Sequence, residues 1–169
     1  MSIYWNETDS PLGKIVLESD GQSLTGLWFA GQKHFPEDLK ERAVYRDLAV
    51  FERTKDYLKQ YFQGKKPELS IPLKFEDTPF RMRVWKILQE IPYGKTVSYS
   101  DIARRIAKED GMVRMSCQAV GFAVSLNPIS IIVPCHRVIG KNGSLTGYAG
   151  GLDRKEKLLK LEQQKSHIL

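Results

Sequence analysis

Two thiols, Cys117 and Cys135, and three imidazoles, His34, His136 and His167, are the side chains of this 169-residue chain best suited to covalent or proton-transfer chemistry. One of each is adjacent in Pro134-Cys135-His136-Arg137, directly after the largely apolar run 129–133. A thiol near its ordinary pKa is only slightly ionised at neutral pH, so a reactive cysteine needs a base or a positive field beside it. His136 is the nearest base. On an extended backbone, however, adjacent side chains point to opposite faces, so a turn or a bridging water must connect the two. Glu162 is positioned in the sequence to hold the other imidazole nitrogen and to favour the charged form of His136. A cysteine after a buried strand is equally a small core residue, and Arg137 equally a loop anchor. Residue types alone therefore leave Cys135 open between nucleophile and packing. Cys117, in a small-residue apolar stretch, reads as packing.

Composition narrows the classes. The chain is 41% hydrophobic and 27% charged, as a soluble globular protein is. No apolar stretch approaches a membrane span, and the first ten residues carry acids where a signal peptide carries bases, so a cytoplasmic address is expected. In such a compartment the two cysteines are expected to stay free, and the scattered histidines make no zinc cluster. The net charge of +6 is uneven: residues 1–75 hold 11 basic and 11 acidic residues, so the remaining 15 and 9 place the whole excess in residues 76–169. That asymmetry suits a C-terminal module facing a polyanion, or a basic solvated face.

The elements that must position these groups follow from periodicity and turn chemistry. Residues 3–6, 13–19 and 23–29 predict an antiparallel meander, with turns at Asp9 to Pro11 and at Asp20-Gly21. Val44, Leu48, Phe51, Leu58 and Phe62 recur at helical spacing over 37–62, and 71–75 suggests a further strand. Helices are expected over 80–91, over 99–107 with Ser98 as its cap, and over 116–126, where Asn127-Pro128 stops it. The last two form a helix-turn-helix pattern in the basic half. The run 129–133 reads as a buried strand delivering the chain into Pro134-Cys135-His136-Arg137. A loop with five glycines over 140–151 then leads to a helix over 153–163 and a polar, frayed tail.

Beyond these local readings, the ordered set Val84-Trp85, Ile91-Pro92-Tyr93-Gly94, Ser98-Tyr99, Ala119-Val120-Gly121, Asn127-Pro128, Ile132 through Val138, Gly147-Tyr148, Gly150-Gly151-Leu152, Leu158-Leu159 and Glu162 resembles the methylated-DNA–protein-cysteine methyltransferase family. The N-terminal half resembles that family's smaller domain in layout. The resemblance implies an α/β fold: a ribonuclease-H-like N-terminal domain over 1–75, then a mostly helical, winged-helix-like domain with a helix-turn-helix over 80–165. The implied activity is DNA repair by irreversible, single-turnover transfer of an alkyl group from O6 of guanine, or O4 of thymine, to Cys135 after base flipping.

The same resemblance assigns roles to particular residues. His136 acts through a water to ionise Cys135, and Glu162 orients His136. Asn127 braces the turn between helix and strand, and Tyr99 donates a proton to the departing base. The carbonyls of Cys135 and Val138 recognise the exocyclic amine, the amide of Ala149 points at O6, and Tyr148 lines the pocket. Gly147 and Ala149 keep that wall small. Gln118 stands where the family's intercalating arginine is usual, with Ala119 beside it; the residues themselves offer Arg104, Arg105 and Arg114 as phosphate contacts or, equally, as a solvated charged face, and Arg137 as a further DNA contact. The expected partner is duplex DNA containing O6-alkylguanine, met by a monomer with no membrane association. No cofactor is implied, and the N-terminal half lacks the cysteines that hold zinc in some relatives. A lesion-flagging binding module and an unrelated thiol hydrolase or peroxidase are the competing classes; a cysteine at 135 argues against the first, and the basic half against the second.

Overall fold

Tight turns and alternating burial build the first layer. In the computed structural model, which describes residues 2–164, strands β1 (Tyr4–Thr8), β2 (Ile15–Ser19) and β3 (Leu24–Phe29) form the expected antiparallel meander. The side chain of Asp20 fixes the second turn by accepting from the amides of Gln22 and Ser23 at 3.0 and 2.8 Å.

The helix expected over 37–62 is in fact two helices and a strand. After a short α1 (Leu39–Arg42) the chain extends into β4 (Val44–Tyr45), which pairs parallel with β1 and gives the sheet order β3-β2-β1-β4. Val44 is 49% exposed rather than in the core, because the unpaired edge of β1 captures its amide (Val44 N to Ile3 O, 2.8 Å). Helix α2 (Ala49–Phe62) then lays Val50, Phe51, Leu58 and Tyr61 into the core formed with Ile15, Leu17 and Leu24. Each such side chain contributes about 1.5–3 kcal/mol of apolar burial. Residues 71–75 make one parallel bridge, Leu73 to Leu24, and no longer strand.

The second half is mostly helical. Helix α3 (Pro79–Gln89) starts on Thr78, whose side chain accepts from Arg81 N, and Trp85 ties it to the next layer by donating its indole N–H to Ala123 O at 2.8 Å. A short β5 (Val97–Ser98) precedes α4 (Tyr99–Glu109), which Ser98 and Asp101 close with a reciprocal capping box, an arrangement worth about 1 kcal/mol. Helix α5 (Cys117–Ser125) packs on both α3 and α4 and completes the helix-turn-helix. Strand β6 (Val138–Ile139) pairs parallel with β5, and α6 (Leu152–Gln164) closes the core with Leu158. The frayed tail expected beyond α6 lies outside the described residues.

The predicted strand over 129–133 is absent. Its side chains are buried, yet the backbone folds back on itself, with Val133 N bonded to Ile129 O at 3.0 Å and Ile131 at φ 69°. A continuous apolar run reports burial, not extension.

Candidate active site

Asn127 organises the turn that presents Cys135. Its Nδ2 donates to Val133 O at 2.7 Å and to Ile129 O at 3.3 Å, while its Oδ1 accepts from Ile129 N at 3.0 Å. These bonds hold Ile131 in a left-handed conformation that costs a β-branched residue about 1–3 kcal/mol. Pro134 follows, and Cys135–Arg137 form a single 3-10 turn with Cys135 N bonded to Val133 O at 2.8 Å. The turn, rather than an extended strand, sets the relation between Cys135 and His136.

Glu162 on α6 gathers the groups behind the cysteine. Its Oε2 accepts from His136 Nε2 at 2.6 Å, Tyr61 Oη at 2.6 Å and Arg137 Nη2 at 3.2 Å. Its Oε1 accepts from Arg137 Nε at 2.8 Å and Gly94 N at 3.1 Å. Burial alone would raise this carboxyl. The hydrogen bonds of His136 and Arg137 and the Arg137 charge outweigh it and hold Glu162 well below the usual carboxylate range. An ionised Glu162 has no proton to give, so the proton lies on His136 Nε2 and the neutral ring keeps its lone pair on Nδ1. That Nδ1 is buried and has no hydrogen-bond partner among the described residues. Burial lowers the His136 pKa, and although Glu162 opposes this, Arg137 and Lys155 reinforce it. Glu162 thus favours the charged imidazole as expected, but burial outweighs it and the net shift is toward the neutral ring.

Arg137 itself is not a DNA contact. It is buried, and Nη1 donates to Ile91 O at 2.7 Å while the rest of the guanidinium engages Glu162. Its planar fork matches a carboxylate and a carbonyl at once, which leaves little of it facing outward.

Cys135 opens on a cavity of about 350 Å³, whose wall includes Tyr99, Gly121, Gly147, Tyr148, Ala149 and Lys33. That is within the range of small-molecule pockets, ~300–1,000 Å³. A groove of about 580 Å³ along α2 is larger but holds no thiol or imidazole, so size does not locate the site. Burial pushes the Cys135 thiol up to about 11, offset in part by the Asn127 side chain, the Lys155 charge and nearby backbone amides. The resting sulfur is therefore a thiol, ionised only as its proton is taken. Tyr99 donates its hydroxyl to Thr146 O at 2.9 Å, and its pKa is raised by burial and then by the Cys135 charge, which keeps the phenol a donor. Gly147, at φ 68°, brings backbone close to that hydroxyl, where a Cβ would stand 3.6 Å away. The Cys135 carbonyl accepts from Val138 N and the Val138 carbonyl from Lys155 Nζ; Val138 is fully buried on β6 and is not part of the cavity wall. Ala149 O accepts from Lys33 N at 3.0 Å, strapping the N-terminal half to the pocket loop.

Three contributors escaped the sequence reading. Lys155, buried on α6, donates to Val138 O, Gly147 O and Thr146 O at 2.5, 3.0 and 3.2 Å, and burial lowers its pKa to about 8. Its spacing from Leu158, Leu159 and Glu162 puts it on the inward face, a signal that was legible. Tyr61 shares the α2 face of Phe51, Thr54 and Leu58, but nothing local reveals its partner. Lys33 reaches the cavity from a loop of the other half.

Gln118 and Ala119 are exposed on the first turn of α5, and Gln118 shares a groove with Arg104, Arg114 and Cys117 that is separate from the Cys135 cavity. Cys117 is exposed, not packed, because it begins the helix on its solvent side. Arg104 pairs with Asp101 yet remains largely exposed, whereas Arg105 is engaged by Glu90 and Glu109. A nucleophilic thiol facing a phenol across a slot beside an exposed helix turn suits displacement at a carbon whose leaving group needs a proton.

Comparison with known proteins bears on both halves. The model of the 6-O-methylguanine DNA methyltransferase DNA-binding domain matches residues 79–164, and that of its ribonuclease-like domain matches residues 3–75. The methylated-DNA–protein-cysteine methyltransferase of Mycobacterium tuberculosis is 42% identical over 164 residues, 97% of this chain and 94% of that protein. Its counterpart in Methanosarcina barkeri is 43% identical over 165 residues, 95% and 98% of the two chains. The crystal structure of M. tuberculosis OGT in complex with DNA superposes with a TM-score of 0.81 at 40% identity, covering 96% of this chain and 94% of that one.

Proposed function

Because this chain belongs to the 6-O-methylguanine DNA methyltransferase family, we propose that it repairs DNA by moving the alkyl group of O6-alkylguanine onto Cys135, once per molecule. The observation that carries this reading is the single cavity in which Cys135 and Tyr99 meet, beside the exposed first turn of α5. The reacting carbon is unreachable in stacked DNA, so the nucleotide is turned out of the duplex at a cost of a few kcal/mol. Gln118, exposed at the start of α5, takes the space it leaves, and Arg104 and Arg114 meet phosphates.

Inside the pocket, the Cys135 and Val138 carbonyls accept from the exocyclic amine, the amide of Ala149 donates to O6, and Tyr148 packs against the base. The thiol proton passes through a bridging water to His136 Nδ1, the lone pair left free by the Nε2–H bond to Glu162. A sulfur–carbon bond forms as the carbon–O6 bond breaks, and Tyr99 protonates the departing guanine, so its negative charge never stands alone. Imidazolium and phenolate then re-equilibrate through solvent. The product thioether has no easy leaving group, so the protein is consumed. The acting species is a monomer on duplex DNA in the cytoplasm.

Incubating the protein with excess O6-methylguanine duplex and measuring intact mass, then the Cys135 peptide, tests this. One added methyl on that peptide is expected. An unmodified Cys135, or turnover far beyond one per molecule, refutes it.

A further inference from the structure

The carboxylate that holds His136 also receives a hydroxyl from the other half of the molecule. Tyr61 Oη and His136 Nε2 each lie 2.6 Å from the same oxygen, Glu162 Oε2, and 3.5 Å from one another. All three side chains are buried. Tyr61 belongs to α2, in the ribonuclease-like half, for which the reaction described above has no other chemical use.

We propose that Tyr61 is a positioning residue: its hydroxyl occupies Glu162 Oε2 so that His136 stays a neutral, Nε2-protonated base with Nδ1 open toward Cys135. A carboxylate oxygen that already accepts a phenolic proton is a weaker partner for a second donor, and therefore stabilises an imidazolium less. The phenol can only donate in this arrangement, since burial and the Glu162 charge raise its pKa well above the ordinary tyrosine value. The other groups facing this pair are Arg137 on the same turn, Lys155 on α6, Tyr57 on α2, Tyr93 after α3, Tyr148 in the pocket loop and Cys135 itself. Of these, Arg137 also donates to Oε2, through Nη2 at 3.2 Å, whereas Tyr61 approaches it as closely as His136 does, at 2.6 Å.

The inference rests on Cys135 being the acceptor, and the two are separable. With O6-benzylguanine as free base, the wild-type transfer rate is measured between pH 5.5 and 8.5 beside Tyr61→Phe. The acid limb of the variant is expected to move to higher pH, so that its rate at pH 6 relative to pH 8 falls several-fold below the wild-type ratio. Superimposable profiles, or a uniform loss at every pH, overturn the role of Tyr61. Failure of the wild-type protein to acquire benzyl on Cys135 overturns the underlying reading instead. Should Tyr61→Phe not fold, nitrogen-15 imidazole spectra of the wild type decide: a neutral His136 protonated on Nε2 at pH 7 is expected, and an imidazolium there removes the basis of the proposal.

Discussion

Replacing Asn127 with Ala removes three hydrogen bonds from one turn, and the structure says which of them matters most. Ile129 O also receives Val133 N at 3.0 Å, and Val133 O also receives Cys135 N at 2.8 Å, so both carbonyls keep a partner. Ile129 N is different, because among the described residues Asn127 Oδ1 is the partner it has. Stranding a buried amide costs about 1–3 kcal/mol, and the two remaining bonds contribute about 1 kcal/mol each. The expected loss is therefore about 4 kcal/mol, a large share of the ~5–15 kcal/mol that stabilises a typical protein. For a chain of this size it corresponds to roughly 8–16 °C in Tm. Urea unfolding followed by tryptophan fluorescence, with Trp85 buried on the same core, reads this directly. Asn127→Asp separates bracing from electrostatics. The carboxylate still accepts from Ile129 N, so that amide is not stranded, but its second oxygen faces the carbonyl oxygens of Val133 and Ile129 and sets negative charge beside the forming thiolate, so transfer stays slow. A loss below about 1 kcal/mol for Asn127→Ala with an unchanged transfer rate contradicts the assigned role.

Three further outcomes follow from the same geometry. Glu162→Gln leaves the Arg137 guanidinium buried without its carboxylate and is expected to cost about 3–5 kcal/mol. Because the folded-state pKa of Glu162 lies below its unfolded value, its contribution is present above that unfolded value and fades as pH falls toward the folded one. The variant's stability should therefore vary less with pH between 3 and 6, and parallel acid limbs in urea melts would exclude this. Lys155→Met removes a cation that favours the Cys135 thiolate and should slow transfer about tenfold for each pK unit lost. Since the wild-type lysine loses its own charge near pH 8, the gap should narrow above that pH, and a constant ratio from pH 6.5 to 9.5 speaks against a charge effect. Gln118→Arg should tighten duplex binding and steepen its salt dependence by about one ion, measured by fluorescence anisotropy; no change in either would show that the first turn of α5 does not face the backbone.

The order of motifs along the chain determined the family resemblance and the two-part layout, and it singled out Asn127, Cys135, His136 and Glu162, which the structure brings together, with Tyr99 on the wall of the same cavity as Cys135. Local chemistry also determined the Ser98 cap and the meander turns, since each depends on residues two to four positions apart. Contacts set by distant partners were not local in this sense. Arg137 has the composition of a DNA contact, and only the approach of Glu162 and Ile91 turns it inward. The run 129–133 reads as a strand until Asn127 and β3 compete for its backbone and fold it into a turn. The charge state of His136 was likewise decided in three dimensions, because burial opposes its ionisation while Glu162, brought up by α6, favours it. Sequence supplies the donors and acceptors, whereas the fold decides which of them share an oxygen, because that depends on side chains far apart in the chain.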